Sequence, residues 1–337
     1  MHLGITIAPI PGRTAALARM AEDLGFHSVR VPDSQNLAPE VWGQLMLASQ
    51  TTSTIELGSG VTNSLTRDAA VTASAALALQ VESHGRAVCG IGRGDSAVQR
   101  IGKREDPVGS FEHYLETLQA YLRGDTVDRD GFASRLEWLP AVKVDKVPVE
   151  VAATGPRGIA AAARQADRIA LAVGADPDHL RWALEIARAA AREAGREEGS
   201  LRCGAYVNCV VHPDRAVARE AMRGTAATFA RFSAFAGSNL KRLPEQLQRA
   251  AEYLRSSYDM RQHTMATAPH ARALEDAFID WFGIAGPPDE VLPRLQALAK
   301  LGLDFVHAVP GSGGVSREVA LTSIRLLATE VLPALRL

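Results

Sequence analysis

The feature that most constrains the fold of this chain is a regular alternation of two kinds of segment. Short apolar runs rich in Val and Ile alternate with longer Ala- and Leu-rich stretches whose apolar residues recur every three to four positions. The first pattern predicts strands and the second predicts amphipathic helices. Eight such strand-and-helix units in succession are typical of a parallel (β/α)8 TIM barrel, an α/β fold. An open, doubly wound sheet with an added helical domain is the alternative.

The predicted units run through all 337 residues, which we interpret as one domain. Strands are predicted at 3–8, 28–31, 55–61, 87–91, 147–153, 168–173, 202–211 and 304–309. Helices are predicted at 14–24, 39–51, 69–83, 110–122, 158–165, 177–194, 290–300 and 317–332, with a long helical region over 214–282. Residues 124–146 predict an extended excursion with a turn at 128–131. Residues 238–280 are too long for a simple connection, so we predict a helical insertion before the last strand that lines or covers the site.

Composition narrows the function classes. The net charge of −1 provides no positive field for nucleic acid or an anionic membrane surface. No apolar run reaches the length of a membrane span, and the N-terminal segment lacks a signal-peptide pattern. The three cysteines, Cys89, Cys203 and Cys209, have neither metal-binding spacing nor an even number for disulfides. We therefore expect a cytoplasmic protein with no metal site, no nucleic-acid partner and no membrane association.

In a barrel, the chemistry lies where strands end, and the third strand ends in the densest group of candidates. Two glycines flank Ser59, so the backbone there can approach a flat ligand closely, while a Gly-rich turn is the alternative interpretation. Arg67 follows and could bind an anion. The candidate ligand-contacting residues at this strand end are Ser59, Gly60, Val61, Thr62 and Asn63.

Two carboxylates follow neighbouring strands. Asp33 comes after the second strand and could exchange protons or cap a turn. Asp95 comes after the fourth strand, behind glycines at the alternate positions 90, 92 and 94. That spacing does not match a dinucleotide- or phosphate-binding loop, so a tight strand end that presents Asp95 is the better interpretation. Gly92 and Arg93 of this segment are further candidates for cofactor binding.

Two further strand ends favour anion binding. After the fifth strand, Thr154, Gly155 and Arg157 surround the predicted start of a helix, where free backbone N–H groups and the helix dipole attract anions. After the sixth strand, Gly174 and Ala175 form a second glycine-bearing turn nearby. Together they predict a phosphate site, although ordinary helix capping would also explain each turn.

Segments 55–79, 85–98, 147–158 and 283–306 together resemble the bacterial-luciferase-like superfamily of flavin and deazaflavin oxidoreductases. Within it the chain is most similar to the branch of methylenetetrahydromethanopterin reductase, which depends on F420. The resemblance implies a TIM barrel that binds coenzyme F420 or reduced FMN at the strand ends. It also implies a non-prolyl cis peptide at Gly60–Val61, contacts from Thr62 and Asn63 to the ring, and Asp95 nearby. Residues 154–157 and 174–176 would hold the phosphate region.

One departure from the family pattern concerns the second strand end. Many relatives have Asp-His there, whereas this chain has Asp33 followed by Ser34, so the role of that histidine is unfilled or moved. Asp33 and Asp95 are the candidate proton donors or acceptors. His263 or His270 of the insertion could reach the substrate instead.

The function that the resemblance implies is hydride transfer between F420 and a small organic substrate. The alternative is a two-component monooxygenase that uses reduced FMN and dioxygen. A separate flavin or F420 reductase is the possible partner that would supply the reduced cofactor. A third hypothesis is a barrel that binds flavin without turnover. Family members usually pair through their early helices, so we also expect a homodimer, to which the apolar residues at 42 and 45–47 could contribute.

Overall fold

A computed structural model describes residues 1–233, 240–241 and 243–335. Its first half contains β1 (His2–Thr6), α1 (Thr14–Asp23), β2 (Ser28–Val31), α2 (Val41–Ser49), β3 (Glu56–Ser59), β4 (Thr62–Asn63), α3 (Ala69–Glu82), β5 (Ala87–Gly92), α4 (Ser96–Gln99), α5 (Val108–Arg123), β6 (Val127–Arg129) and β7 (Phe132–Ser134). Its second half contains β8 (Val149–Ala153), α6 (Pro156–Gln165), β9 (Arg168–Leu171), α7 (Pro177–Glu193), β10 (Arg202–Val211), α8 (Arg215–Phe232), α9 (Glu245–Ser257), α10 (Pro269–Arg272), α11 (Asp276–Phe282), β11 (Ile284–Gly286), α12 (Pro288–Lys300), β12 (Phe305–Val309), α13 (Arg317–Leu326) and α14 (Leu332–Leu335).

Eight parallel strands close into a barrel. Neighbours pair in the order β1, β2, β3, β5, β8, β9, β10 and β12, and β12 pairs back with β1. The register at closure places Leu3 opposite Val306. The helices surround the barrel, and the buried core fills the space between them and the strands. The predicted (β/α)8 TIM barrel is therefore confirmed.

Helix boundaries follow from local chemistry. Asp68, Asp176 and Asp214 precede α3, α7 and α8, and each side chain accepts a backbone N–H from the first turn of its helix. Such caps satisfy donors that the helix itself leaves free. Helix α5 ends at Gly124, whose φ of 81° lies in the left-handed region that glycine adopts without strain.

Several predicted boundaries were wrong. The third strand ends at Ser59, and Thr62–Asn63 pairs separately with β5, because the backbone changes direction between them. The short strand β11, which pairs with the end of β10, falls directly after the predicted helical region. The last helix is interrupted by a π-helical turn at Leu327–Val331.

The two irregular segments differ in what the structure describes. Residues 124–146 contain the hairpin β6–β7, and its turn is closed by a hydrogen bond from the Gly131 N–H to Asp128 Oδ1 (2.7 Å). The predicted insertion, 238–280, includes α9, α10 and most of α11, but positions 238, 239 and 242 lie outside the described residues. In the part that is described, no helix is long and apolar enough to cross a membrane.

The barrel interior contains a buried charged layer. Arg30 of β2 donates two hydrogen bonds of 3.0 Å to the carboxylate of Glu150 on β8. His307 of β12 contacts the same carboxylate at 3.0 Å. Burial alone would raise the pKa of Glu150, but the charge of Arg30 holds it well below its usual range. Burial lowers the pKa of His307, so its ring is neutral at pH 7.

Candidate functional site

The end of β3 forms a bulge at the barrel mouth, which is the end where the strands terminate. The Gly60–Val61 peptide bond is cis, as the resemblance implied. The Ser59 hydroxyl donates to the Gly90 carbonyl at 2.7 Å and fastens this bulge to β5. A Cβ at Gly90 would lie 1.9 Å from the Ser59 carbonyl oxygen, so only glycine permits this approach.

Asp33 is held by two donors. The Thr62 hydroxyl donates to its Oδ2 at 2.6 Å, and Arg67 Nη1 donates to the same oxygen at 2.5 Å. Arg67 also donates to Glu40 at 2.7 Å. The structure therefore brings Asp33 and Thr62 together, and it uses Arg67 for an internal ion pair instead of leaving it for an external anion.

Asn63 and the glycine-rich end of β5 lie beside the bulge. The Asn63 Oδ1 accepts the N–H groups of Leu65 and Thr66, each at 3.0 Å. Its Nδ2 is buried and has no hydrogen-bond partner among the described residues. Gly92 is buried, and a Cβ there would lie 3.2 Å from Val61. A buried amide nitrogen without a partner is unusual in a folded protein and marks a position where a ligand can bind.

Asp95 faces the insertion. Its Oδ1 accepts from Arg231 Nη1 of α8 at 2.7 Å and from Gln99 at 2.9 Å. Its Oδ2 is buried and lacks a partner within the described chain. Arg231 also lies over the ring of Tyr258, 4.8 Å from the ring centre. Helix α8 thus contacts the carboxylate that follows β5, and Tyr258 of the insertion packs against the arginine that makes this contact.

The Arg93 side chain forms hydrogen bonds within the loop that follows it. Its Nε donates to the Asp106 carbonyl at 2.6 Å, and the Asp106 N–H donates back to the Arg93 carbonyl at 2.9 Å. Its Nη2 lies 3.6 Å from Glu105. The guanidinium predicted to bind a cofactor is therefore occupied by its own loop.

The two predicted phosphate turns differ. Gly155 precedes α6, whose N-terminus has Pro156 in its first turn and no capping side chain. Thr154 is half-buried, while Arg157 is exposed. These features leave backbone donors, a hydroxyl and a cation at the start of one helix.

The second turn is packed against α11. The Ala175 N–H donates to the Phe282 carbonyl at 2.8 Å. Gly174 is buried, and a Cβ there would lie 3.0 Å from the Phe282 ring. A phosphate would therefore find fewer free donors here than at α6. The binding role predicted for Gly174 and Ala175 has less support from this geometry.

An apolar surface forms the floor and one wall of the mouth. The buried ring of Tyr206 on β10 lies under it, with Phe229 of α8 at a ring-centre distance of 6.2 Å. Half-buried Val61, Ala152 and Phe232 complete the same cluster. Burial raises the pKa of Tyr206, so its hydroxyl stays protonated. A flat aromatic ligand would bury apolar area here.

The histidines of the insertion form a small polar group with Tyr258. The Tyr258 hydroxyl lies 2.8 Å from His263 Nδ1, and the rings of Tyr258 and His270 are 4.2 Å apart. The Ser34 hydroxyl lies 3.2 Å from that of Ser96. Sequence reasoning missed Arg231 and Arg67 as partners of the predicted carboxylates, and it missed Tyr258 as the ring that packs against Arg231.

Comparison with known proteins gives consistent results. A 5,10-methylenetetrahydromethanopterin reductase of Archaeoglobus fulgidus is 30% identical over 327 residues, which cover 94% of each chain. The solved structure of a coenzyme F420-dependent tetrahydromethanopterin reductase from Methanopyrus kandleri matches with a TM-score of 0.77 at 24% identity over 98% of both chains. An F420-dependent secondary alcohol dehydrogenase in complex with an F420-acetone adduct matches with a TM-score of 0.76 at 20% identity over 99% of both chains.

The two structural likenesses concern the fold, because both identities lie below 25%. The family model described as luciferase-like monooxygenase matches residues 4–304, nearly the whole chain. The chain belongs to the luciferase-like monooxygenase family.

Proposed function

We propose that this protein is an oxidoreductase that transfers a hydride between coenzyme F420 and a small organic substrate. The observation that carries the proposal is the mouth itself, where the Gly60–Val61 bulge meets an apolar surface and where two buried polar atoms have no hydrogen-bond partner among the described residues. Those atoms are Asn63 Nδ2 and Asp95 Oδ2. The full-length similarity to an enzyme named as a methylenetetrahydromethanopterin reductase supports the same assignment.

The residues present fit the cofactor. Val61 and Ala152 offer a half-buried apolar face for a flat ring, and Asn63 Nδ2 offers a donor that no described residue accepts from. The uncapped start of α6, with Thr154 and Arg157, suits the negatively charged phosphate. We assign these residues to F420.

Each residue then has a role of its own. When bound, F420 supplies a ring carbon, C5, that accepts or donates a hydride. Asp95 Oδ2 orients the polar group of the substrate, because Arg231 and Gln99 already hold Oδ1. Asp33 fixes Thr62 and the bulge through its bonds to Thr62 and Arg67. The insertion around Tyr258 shields the site from water.

The second candidate function is the FMN-dependent monooxygenase, served by a separate reductase. The observation that favours it is the family model, whose description is a monooxygenase. The absence of histidine at position 34 separates this chain from the pattern expected of the methanopterin enzymes.

Anaerobic titration with F420 and with reduced FMN separates the two functions. We expect F420 to bind with a micromolar or lower Kd. The bound F420 should then be reduced by at least one member of a panel of alcohol substrates that includes 2-propanol and cyclohexanol. Arg157→Gln should weaken F420 binding about tenfold through loss of a charge-assisted contact. Arg192→Gln, an exposed change at the far end of α7, is the matched control. Tight FMN binding without F420 binding would contradict the proposal.

We also propose a homodimer in the cytoplasm. Leu47 of α2 and Val71 of α3 are each 56% exposed, which favours an interface on these early helices. Trp42 and Leu45, suggested beside them, are buried in the core and cannot contribute contacts. Light scattering of wild type and Leu47→Asp should show a dimer that weakens in the variant. A wild-type monomer would refute it.

A further inference from the structure

We infer that His263 is the residue that exchanges the substrate proton, and that it presents Nε2 as an unprotonated base at the barrel mouth. This inference rests on the proposed function, because it assigns a role in that reaction. It identifies which group does the work expected of the histidine that Ser34 replaces.

Position is the first argument. The segment that carries His263 is bonded to loops that follow three barrel strands. Thr264 N donates to Thr228 of α8 at 3.2 Å, and its carbonyl accepts the Gly313 N–H, after β12, at 2.9 Å. Arg100, after β5, donates to the Met260 carbonyl at 2.5 Å. His263 therefore lies where the chains leaving β5, β10 and β12 converge.

The hydrogen-bond chain behind the ring fixes its tautomer. The Thr228 hydroxyl lies 2.9 Å from the Gly224 carbonyl, which only accepts, so Thr228 donates its single proton there. Tyr258, 2.8 Å from Thr228 Oγ1, must then donate to it. With its proton used, the Tyr258 oxygen accepts from His263 Nδ1 at 2.8 Å. In this assignment one proton lies in each of the three contacts, Thr228 to Gly224, Tyr258 to Thr228 and His263 to Tyr258. The proton of the neutral His263 ring is therefore on Nδ1.

Nε2 is consequently the basic nitrogen. The ring is half-buried, and no described residue makes a hydrogen bond to Nε2. An imidazole with one nitrogen oriented and the other open has the geometry of a general base.

The surrounding charges determine the protonation state of the ring. The groups that face His263 are Asp95 and Arg100 after β5, Arg231 of α8, and Tyr258 and His270 of the insertion. Burial, with the cationic neighbours, lowers the pKa of His263 to about 4, so the ring is neutral near pH 7. The Asp95 carboxylate acts in the opposite direction and would stabilise the imidazolium once it forms.

The proton balance of the reaction is complete. In alcohol oxidation, the substrate C–H bond breaks as a hydride leaves for the deazaflavin. The O–H bond breaks as its proton passes to His263 Nε2, and the C=O bond forms. The alcohol loses two electrons, which leave with the hydride, and the imidazole becomes an imidazolium. Ketone reduction reverses every change.

Nitrogen-15 NMR of the imidazoles tests the assignment without a substrate. We expect His263 to hold its proton on Nδ1 and to stay neutral down to about pH 5. Tyr258→Phe should release the tautomer to a mixture. A His263 that titrates near pH 6.5 with both tautomers populated would overturn the inference, whether or not F420 binds.

Turnover provides the second test, with 2-propanol and cyclohexanol as probes. His263→Ala should lower kcat at least about a hundredfold, the usual effect of losing a general base. The Kd for F420 should stay unchanged, and added imidazole should restore part of the rate. His113→Ala, at an exposed position on α5, is the matched control. Unchanged kcat in His263→Ala would refute the role, while failure of wild type to bind F420 would refute the proposed function alone.

Discussion

At the scale of single residues, the closest backbone approach in the mouth depends on Gly90. A Cβ there would lie 1.9 Å from the Ser59 carbonyl oxygen, and backbone cannot move as a flexible side chain does. Gly90→Ala should therefore lower the free energy of unfolding by about 1–3 kcal/mol, measured by urea denaturation, and weaken F420 binding. Gly109→Ala on α5 has open space around it and serves as the control. Equal stability of both variants would contradict this prediction.

Single residues also show how much of the candidate site could be predicted from the sequence. Asp33, Thr62, Asn63 and Asp95 could be selected because polar residues directly after apolar strands project at the barrel mouth. Their partners could not be selected. Arg231 is 136 positions from Asp95, and no local spacing connects a residue of α8 with a loop after β5. The binding roles predicted for Arg93, Gly174 and Ala175 stay predictions with less support from the geometry, because a glycine or arginine in a turn has the same appearance whether it binds a ligand or its own loop.

At the scale of elements, α1 is fastened to the start of β3 through Glu22. Its Oε1 accepts three backbone N–H groups, from Ser53 at 2.8 Å, Thr54 at 2.6 Å and Ile55 at 3.0 Å. Burial would raise the pKa of Glu22, but these donors outweigh it and lower the pKa from 4.5 to about 2.

This lowered pKa predicts an acid-sensitive contact. A folded-state pKa below the unfolded value gives stability that is present above pH 4.5 and is lost as the pH falls toward 2. Glu22→Gln should flatten the fall in unfolding free energy between those values and should also lower stability at pH 7. Urea denaturation across pH 2.5–7, with exposed Glu82→Gln as the control, measures both effects. A variant with the wild-type pH slope would exclude this role of Glu22.

Most elements were predictable because their hydrophobic periods are long and regular. The exceptions are short. β11 has three residues, too few for a period to emerge beside the end of α11. The division of β3 from β4 arises at Gly60, where the chain turns near the end of the segment predicted as one strand, 55–61. Such boundaries are decided by pairing with β5 and β10, which are distant in sequence.

At the scale of the whole molecule, barrel closure brings together titratable residues that the sequence keeps far apart. Arg30, Glu150 and His307 each stand alone in an apolar strand, and a single titratable residue in such a run predicts a buried partner without naming it. Their positions, 120 and 157 residues apart, meet only when β2, β8 and β12 face one interior. The charged layer thus depends on correct closure of all eight strands.

This dependence predicts strong coupling between Arg30 and Glu150, whose side chains are both fully buried. Glu150→Leu removes the charge that compensates Arg30 and should cost about 3–5 kcal/mol of unfolding free energy. Replacing both, as Arg30→Met with Glu150→Leu, removes both desolvation penalties and should recover most of that loss. Urea denaturation of the two single variants and the double variant gives the coupling energy as a double-mutant cycle.

The exposed pair Arg135 and Glu137 is the control. Treated in the same way, it should show almost no coupling energy, since water screens the two charges. Additive losses at Arg30 and Glu150 would contradict the predicted coupling.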